Sequence, residues 1–177
     1  HRYAVELVCQ VEKLNKGIYL ENLMETPKQT AFFIGVAGYP EKHPESPNFE
    51  SDIKHLKAKV DAGASYIVTQ LFFDNSKYFK FVESCRNAGI KVPIIPGVKP
   101  ISIKEHISLL PKVFGVQIPQ ELVSAVEKCE TNREVYELGI EWAINQAKEL
   151  KSANVPAIHF YTMGKSDNIA RIASAVF

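Results

Sequence analysis

Residues 65–73, Ser-Tyr-Ile-Val-Thr-Gln-Leu-Phe-Phe, constrain the fold more than any other part of the chain, because they form a β-prone run with almost no polar/apolar alternation. Such runs are typical of strands in parallel sheets that are covered on both faces. Further strands are predicted at about 32–38, 92–95 and 157–163. Segments with helical periodicity separate these strands, so the sequence predicts parallel βα units. The functional residues of such units gather at the carboxyl ends of the strands.

The predicted order of elements is α-β-α-β-α-β-α-α-α-β-α, and we interpret residues 1–177 as a single α/β domain. Capping boxes at helix starts are predicted at Ser102 with Glu105 and at Thr131 with Glu134. Four strands cannot close a (β/α)8 barrel, which has eight strands and typically about 250 residues. The chain is therefore either a small open α/β sheet or the C-terminal half of a barrel.

The charge composition excludes some classes of partner. The chain has 21 basic and 20 acidic residues, a formal net charge of +1, which gives no electrostatic footprint for nucleic acid or an anionic membrane. No apolar run approaches the ~18 residues of a membrane span, and no signal peptide is visible. The chain begins at His1 rather than Met, as expected of a fragment or a processed product.

The cysteines indicate neither a metal site nor a redox site. Cys9, Cys85 and Cys129 are far apart, and no C-x-x-C pair occurs. Each lies in a predicted helix among apolar neighbours, where a small buried side chain is expected. Free thiols fit a reducing compartment, so we expect a cytoplasmic protein.

The loop after the first predicted strand, Gly-Tyr-Pro-Glu-Lys-His-Pro-Glu, is the strongest local signal for a site. Tyr39 can stack on a flat ring, an interaction worth ~1–3 kcal/mol per base in nucleic-acid complexes. His43 can hydrogen-bond to a phosphate or a ring nitrogen. A rigid turn with an exposed Tyr and His explains the same pattern about equally well.

Asp52, His55 and Lys59 share one face of the next predicted helix, because they are spaced by three and four residues. Asp52 could accept hydrogen bonds from ribose hydroxyls, and Lys59 could neutralise a diphosphate. On spacing alone, an ordinary solvated helix surface is the better explanation.

Gln70 is a carboxamide inside an apolar strand, so it must find partners or cost ~1–3 kcal/mol. It offers a donor and an acceptor together, which suits the edge of a pterin or a nicotinamide, and a structural hydrogen bond to a neighbouring strand fits equally well. His159 is expected in the core. Tyr161, Thr162 and Lys165 follow at the carboxyl end of the last strand, where substrate contacts are expected.

Taken together, these segments resemble the methylenetetrahydrofolate reductases. The resemblance rests on motifs that occur in the family's order and cover the chain from the first helix onward: Gly-Tyr-Pro-Glu-Lys-His-Pro-Glu-Ser, Leu-Lys-Ala-Lys-Val-Asp-Ala-Gly-Ala, Val-Thr-Gln-Leu-Phe-Phe-Asp, Pro-Ile-Ile-Pro-Gly-Val-Lys-Pro-Ile-Ser and His-Phe-Tyr-Thr-Met.

The resemblance implies a (β/α)8 barrel that holds FAD at the carboxyl ends of its strands. In such enzymes NADH or NADPH reduces the flavin, which then reduces 5,10-methylenetetrahydrofolate to 5-methyltetrahydrofolate in one-carbon and methionine metabolism. The family positions matching Tyr39, His43, Asp52 and Lys59 contact FAD. The position matching Gln70 bonds the pterin or the nicotinamide, and Lys165 stands where relatives carry an Arg against the folate tail.

Some residues depart from the family pattern. His106 lies near where a Gln binds folate in some relatives, and Leu110 where a Phe can stack on substrate. His55 and Ala58 replace an Asn and an Arg near the flavin. These differences weaken the carry-over of contacts to the folate tail and the diphosphate.

The family's first half supplies a glutamate general acid and an Arg-Gly-Asp segment, and neither is present in this chain. We therefore expect the last four strands of a barrel, with no metal site and no reductase activity by themselves. The alternative is a non-catalytic binding or assembly module that forms homo-oligomers through open sheet edges. Another barrel enzyme with a phosphate-bearing substrate is disfavoured, because no glycine-rich loop precedes the last helix.

Overall fold

The computed structural model describes residues 1–20, 27–164 and 166–177. Its helices and strands follow the predicted order: α1 (Ala4–Asn15), β1 (Gly35–Gly38), α2 (Phe49–Asp61), β2 (Tyr66–Leu71), α3 (Asn75–Asn87), β3 (Ile94–Val98), α4 (His106–Phe114), α5 (Gln120–Lys128), α6 (Asn132–Ser152), β4 (His159–Phe160) and α7 (Asp167–Val176).

The strands form one parallel sheet in the order β1-β2-β3-β4. Each connection therefore leads to the next strand along the sheet. Because such crossovers share one hand, their helices all lie on the same face. The main core lies between that face and the helices, with Ile67 of β2, Phe81 of α3, Ala143 of α6 and Ile172 of α7 almost fully buried. The predicted parallel α/β architecture is confirmed.

The other face of the sheet has no comparable cover among the described residues. In β1, Val36 and Gly38 are buried, whereas Gly35 and Ala37 are exposed. In β2 the residues at alternate positions, beginning with Tyr66, are only half-buried. The expectation that residues 65–73 are covered on both faces therefore fails for Tyr66, Val68 and Gln70, and it holds for the run Leu71-Phe72-Phe73, which is buried throughout.

Strand boundaries differ from prediction at both ends of the sheet. Phe32 and Phe33 precede β1 and are 57% and 74% exposed. β3 runs through Pro96 and Gly97, beyond the predicted end of this strand at residue 95. The register of β2 against β3 is irregular at this point, and the N–H of Gly97 donates to the Thr69 hydroxyl at 2.9 Å. A side-chain acceptor thus replaces part of the backbone ladder.

One predicted helix cap is confirmed and the other is wrong. The N–H of Glu134 donates to the Thr131 hydroxyl at 3.3 Å at the start of α6. The Ser102 cap fails because α4 begins only at His106, after an N-terminal residue, Glu105, that makes no side-chain cap. The Ser102 N–H donates instead to His106 Nδ1 at 3.2 Å.

The cysteines have three different environments. Cys85 is fully buried, and burial raises the pKa of its thiol to about 12. Cys129 ends α5 and is half-buried, as a small apolar residue would be. Cys9 is exposed on α1, contrary to expectation. Across residues 1–20, 27–164 and 166–177, no group of three or more His, Cys, Asp or Glu could hold a metal ion, and no helix is long and apolar enough to cross a membrane.

Candidate functional site

The loop after β1 brings together the two residues that sequence reasoning placed there. The rings of Tyr39 and His43 meet edge to face, with centroids 4.6 Å apart and an interplanar angle of 88°. Burial raises the pKa of the Tyr39 hydroxyl, and the negative charges of Asp52 and Glu45 add to the shift. The loop is therefore an ordered surface at the carboxyl end of β1.

Asp52 fixes this loop to the first turn of α2. Its Oδ2 accepts the backbone N–H of His43 at 2.8 Å, and its Oδ1 accepts the Ser46 hydroxyl at 3.2 Å. Asn48 caps the helix by accepting the Ser51 N–H. Both oxygens of Asp52 thus bind the loop, and its predicted contact with ribose stays a prediction.

Lys42 belongs to the same loop and stabilises it through hydrogen bonds from its side chain. Its backbone φ of +83° lies in the left-handed region, which costs energy for a residue other than glycine. Its ammonium compensates by donating to the carbonyls of His43 at 2.9 Å and Ser46 at 2.6 Å. The geometry of the loop is therefore determined by several side chains at once.

Lys59 lies at the edge of the sheet. Its ammonium donates to the carbonyl of Ala37 at 2.8 Å, and burial lowers its pKa, an effect that Asp52 opposes. The N–H of Ser65 donates to the carbonyl of Ile34, so the carbonyl of Ala37 points to the opposite edge of β1 because strand carbonyls alternate. Lys59 thus covers part of the open edge of β1.

Gln70 lies half-buried on the uncovered face of β2. Its Oε1 accepts the N–H of Leu71 at 2.9 Å, and its amide NH2 donates to none of the described residues. Gln70 and Tyr39 line one shallow crevice, together with Val116. The structure therefore brings the two residues to one crevice and leaves the Gln70 NH2 without an acceptor among the described residues.

The last strand adds a second tyrosine. Tyr161 donates its hydroxyl to the carbonyl of Thr69 at 2.8 Å, and burial raises its pKa, with Tyr39 adding to the shift. His159 is exposed on the uncovered face, and the centroid of its ring lies 4.6 Å from that of Tyr161 in an edge-to-face contact. The expectation of a core histidine is wrong, because the short β4 places this position away from the helices. Thr162 is exposed, and Lys165 lies outside the described residues.

Sequence reasoning missed further polar residues at this end of the sheet. Glu41 accepts the N–H of Gln117 at 3.2 Å through both carboxylate oxygens, which joins the loop to the segment before α5. Burial raises its pKa. Lys99 directly follows β3 and is only 7% exposed. The sequence contained a signal for Lys99, because this lysine directly follows an apolar strand. Parallel α/β proteins place functional groups at the carboxyl ends of their strands.

A larger crevice than the one beside Gln70 lies elsewhere on the described part of the chain. It has a volume of about 360 Å³ and lies where the chain enters β4, lined in part by Lys151, Pro156 and Phe177. None of the predicted site residues lines it. The candidate site is therefore the shallower surface formed by the strand ends and the loop after β1.

These observations define a parallel α/β protein whose polar and aromatic side chains gather at the carboxyl ends of its strands. The family model described as methylenetetrahydrofolate reductase matches residues 2–176. The chain therefore belongs to the methylenetetrahydrofolate reductase family.

Its similarity to individual proteins is spread over most of the chain. It is 40% identical over 147 residues to a probable methylenetetrahydrofolate reductase (NADPH) of Caenorhabditis elegans, covering 82% of this chain and 22% of the relative. It is 36% identical over 152 residues to the 5,10-methylenetetrahydrofolate reductase of Escherichia coli, covering 85% of this chain and 51% of the relative. The chain thus spans about half, or less, of the length of these relatives.

A solved structure has the same fold. A protein from Clostridium thermocellum, described as binding two copies of 5-methyl-5,6,7,8-tetrahydrofolic acid, matches with a TM-score of 0.53 over 81% of this chain and 52% of that one. The two sequences are 20% identical, so the match concerns the fold alone.

Proposed function

We propose that this chain is the C-terminal half of a (β/α)8 barrel of an FAD-dependent methylenetetrahydrofolate reductase. The complete enzyme would reduce 5,10-methylenetetrahydrofolate to 5-methyltetrahydrofolate with NADH or NADPH. The proposal rests on one observation about this member of the family. Its parallel strands lie in the sheet in the order in which they occur in the sequence, and among the described residues helices cover one face of that sheet.

The half-barrel follows from the geometry of such sheets. A parallel sheet is stable when both faces are covered, and a barrel covers the inner face by closing the sheet on itself. The inner face here carries Tyr66, Gln70 and His159, which are half-buried or exposed. Since the Escherichia coli relative is about twice as long as the matched segment, further strands of a barrel are the cover we propose.

The residues at the strand ends fit a flat, hydrogen-bonding cofactor. Tyr39 offers a ring at the rim of the crevice, and Gln70 offers an amide NH2 that has no acceptor among the described residues. FAD, when bound, would supply the hydride-carrying ring of the reaction. Tyr39 and His43 would contact it directly, whereas Asp52 and Lys59 would hold the loop and the strand edge that carry these contacts. Gln70 and Lys165 would bind the folate.

Flavin retention tests these assignments. The purified chain and a fusion that restores the N-terminal half of the barrel are each mixed with FAD, freed of excess, and measured by visible absorbance. We expect Tyr39→Ala to weaken retention by about tenfold or more, because ring stacking is worth ~1–3 kcal/mol. Tyr3→Ala, which removes a ring that is 58% exposed just before α1, is the control. A fusion that stays colourless would contradict the flavin proposal.

Reductase activity tests the half-barrel itself. The chain alone is expected to show no NADH- or NADPH-driven turnover of methylenetetrahydrofolate, because the general-acid glutamate of the family belongs to the other half. The fusion is expected to be active. Steady turnover by the 177-residue chain alone would overturn the assignment of a half-barrel.

A non-catalytic assembly module is the second candidate, favoured by the uncovered sheet face and by the exposed Phe32 and Phe33 beside β1. Such a module would form homo-oligomers, although Lys59 already covers part of the β1 edge. Sedimentation velocity separates the candidates: a stable oligomer without flavin affinity supports the module, and a flavin-binding monomer excludes it.

A further inference from the structure

Thr69 and Gln70 form a β-bulge between the two central strands of the sheet. Between the paired positions on either side of them, these two residues of β2 lie opposite the single residue Pro96 of β3. Proline has no backbone N–H to donate, and inside a sheet it is found at edges or at bulges. Bulges are frequent beside active sites, where the extra residue redirects a side chain. The side chain placed by this bulge is that of Gln70, which lines the candidate site.

Thr69 holds the bulge from two sides. Its side chain is fully buried, and its hydroxyl accepts the N–H of Gly97 in β3 at 2.9 Å. Its carbonyl accepts the hydroxyl of Tyr161, which follows β4, at 2.8 Å. The approach is close, because a Cβ at position 97 would lie 2.3 Å from the carbonyl oxygen of Thr69 and 2.7 Å from the ring of Tyr161. Thr69 therefore joins β2 to both of the segments that follow it in the sheet.

The carboxamide of Gln70 is oriented at the same irregularity. Its Oε1 accepts the N–H of Leu71 at 2.9 Å, which leaves the NH2 as the group without a partner among the described residues. A carboxamide held through its oxygen presents a donor in a fixed direction. Such a donor recognises an acceptor oxygen or nitrogen of a ligand.

We propose that Thr69 is a positioning residue of the candidate site: by holding the bulge, it fixes the Gln70 carboxamide so that the NH2 donates to an acceptor atom of the bound ligand. Thr69 itself contacts no ligand, because its side chain is fully buried. The inference deepens the proposed function and rests on it for the identity of the ligand, the folate. The positioning depends only on contacts within this chain, so it can be measured without FAD and without turnover.

The first test is an NMR measurement on the 177-residue chain labelled with nitrogen-15. The NH2 signal of Gln70 is identified by its loss in Gln70→Leu, and its heteronuclear nuclear Overhauser effect reports how rigidly the carboxamide is held on the ps–ns timescale. We expect a value close to that of the β2 backbone. Thr69→Val keeps the shape of the side chain and removes the acceptor of the Gly97 N–H, so the value should fall to that of an exposed glutamine. Thr69→Ser keeps the hydroxyl and should keep Gln70 rigid.

Thr131→Val is the matched control, because it makes the same change at a hydroxyl that also accepts an N–H, at the start of α6. It should lower stability without changing the Gln70 signal. Circular dichroism shows whether each variant is folded. If Thr69→Val does not fold, Tyr161→Phe takes its place, since it removes the other bond to Thr69 and should loosen Gln70 in the same way. A Gln70 signal as rigid in the folded variant as in the unmodified chain would overturn the proposal.

The second test uses the fusion that restores the N-terminal half of the barrel. Thr69→Val is expected to raise the KM for methylenetetrahydrofolate about fivefold, within the range for one hydrogen bond, and to leave flavin retention unchanged. In a Gln70→Leu background Thr69→Val should raise the KM no further, because Thr69 acts through Gln70. An equal rise in both backgrounds would contradict the positioning role. An unmodified fusion without activity contradicts the reductase instead, and the rigidity of Gln70 in the 177-residue chain then decides the role of Thr69.

Discussion

Replacing Gly139 by alanine is expected to lower the free energy of unfolding by about 2–3 kcal/mol, the upper range for overpacking a core. A Cβ at this position of α6 would lie 1.8 Å from the carbonyl oxygen of Ile101. Backbone atoms on both sides must then move apart, because no flexible side chain can give way. The gain of ~1 kcal/mol in helix propensity from Gly to Ala offsets only part of this cost.

The measurement is urea unfolding followed by the fluorescence of Trp142, whose indole N–H donates to the carbonyl of Phe73. Asn145→Ala is the control, since it makes an alanine substitution at an exposed position of the same helix and should change stability little. A Gly139→Ala protein as stable as the original would mean that α6 does not approach the segment after β3.

Asp52→Ala is the second large effect, with an expected loss of about 2 kcal/mol of stability. Hydrogen bonds to a charged group contribute about 1.5–3 kcal/mol, and this change removes the acceptor of both the His43 N–H and the Ser46 hydroxyl. The loop that carries Tyr39 is then no longer fixed to α2. In the protein with a restored barrel we expect flavin affinity to fall by about tenfold, because binding must then order the loop.

Glu50→Ala separates the loop contacts from the general effect of charge. Glu50 and Asp52 both lie in the first turn of α2, where a negative side chain stabilises the helix dipole by about 0.3–1 kcal/mol. Glu50 is exposed and has no hydrogen bond to the loop. Urea unfolding of both variants measures the difference. Equal losses in the two would show that the bonds to His43 and Ser46 contribute nothing.

The features that could be predicted from the sequence depend on residues that are close together in the chain. The order of helices and strands was predicted correctly because β-prone runs and helical periodicity are patterns within short segments. The Thr131 cap was found for the same reason, since a hydroxyl reaches an N–H three residues ahead. The loop after β1 was identified as a candidate site because Tyr39 and His43, whose side chains can bind a ligand, follow the end of a buried strand.

The errors have a common origin in contacts between distant segments. The third strand extends past its predicted end at residue 95, and the N–H of Gly97 in this extension donates to Thr69, 28 residues away in the sequence. His159 was placed in the core because its neighbours are apolar, yet the position faces the uncovered side of the sheet. No local pattern reveals which side of a strand has a partner.

The sequence by itself determined the alternation of strands and helices, the family motifs and the loop that holds Tyr39 and His43. Only the tertiary structure decided that the helices cover one face of the sheet, that both oxygens of Asp52 hold the loop, and that Lys99 is only 7% exposed. The physical reason is the distance along the chain over which the interactions act. Helix and strand preferences are properties of short segments, whereas burial and hydrogen-bond partners depend on which distant segments the fold brings into contact.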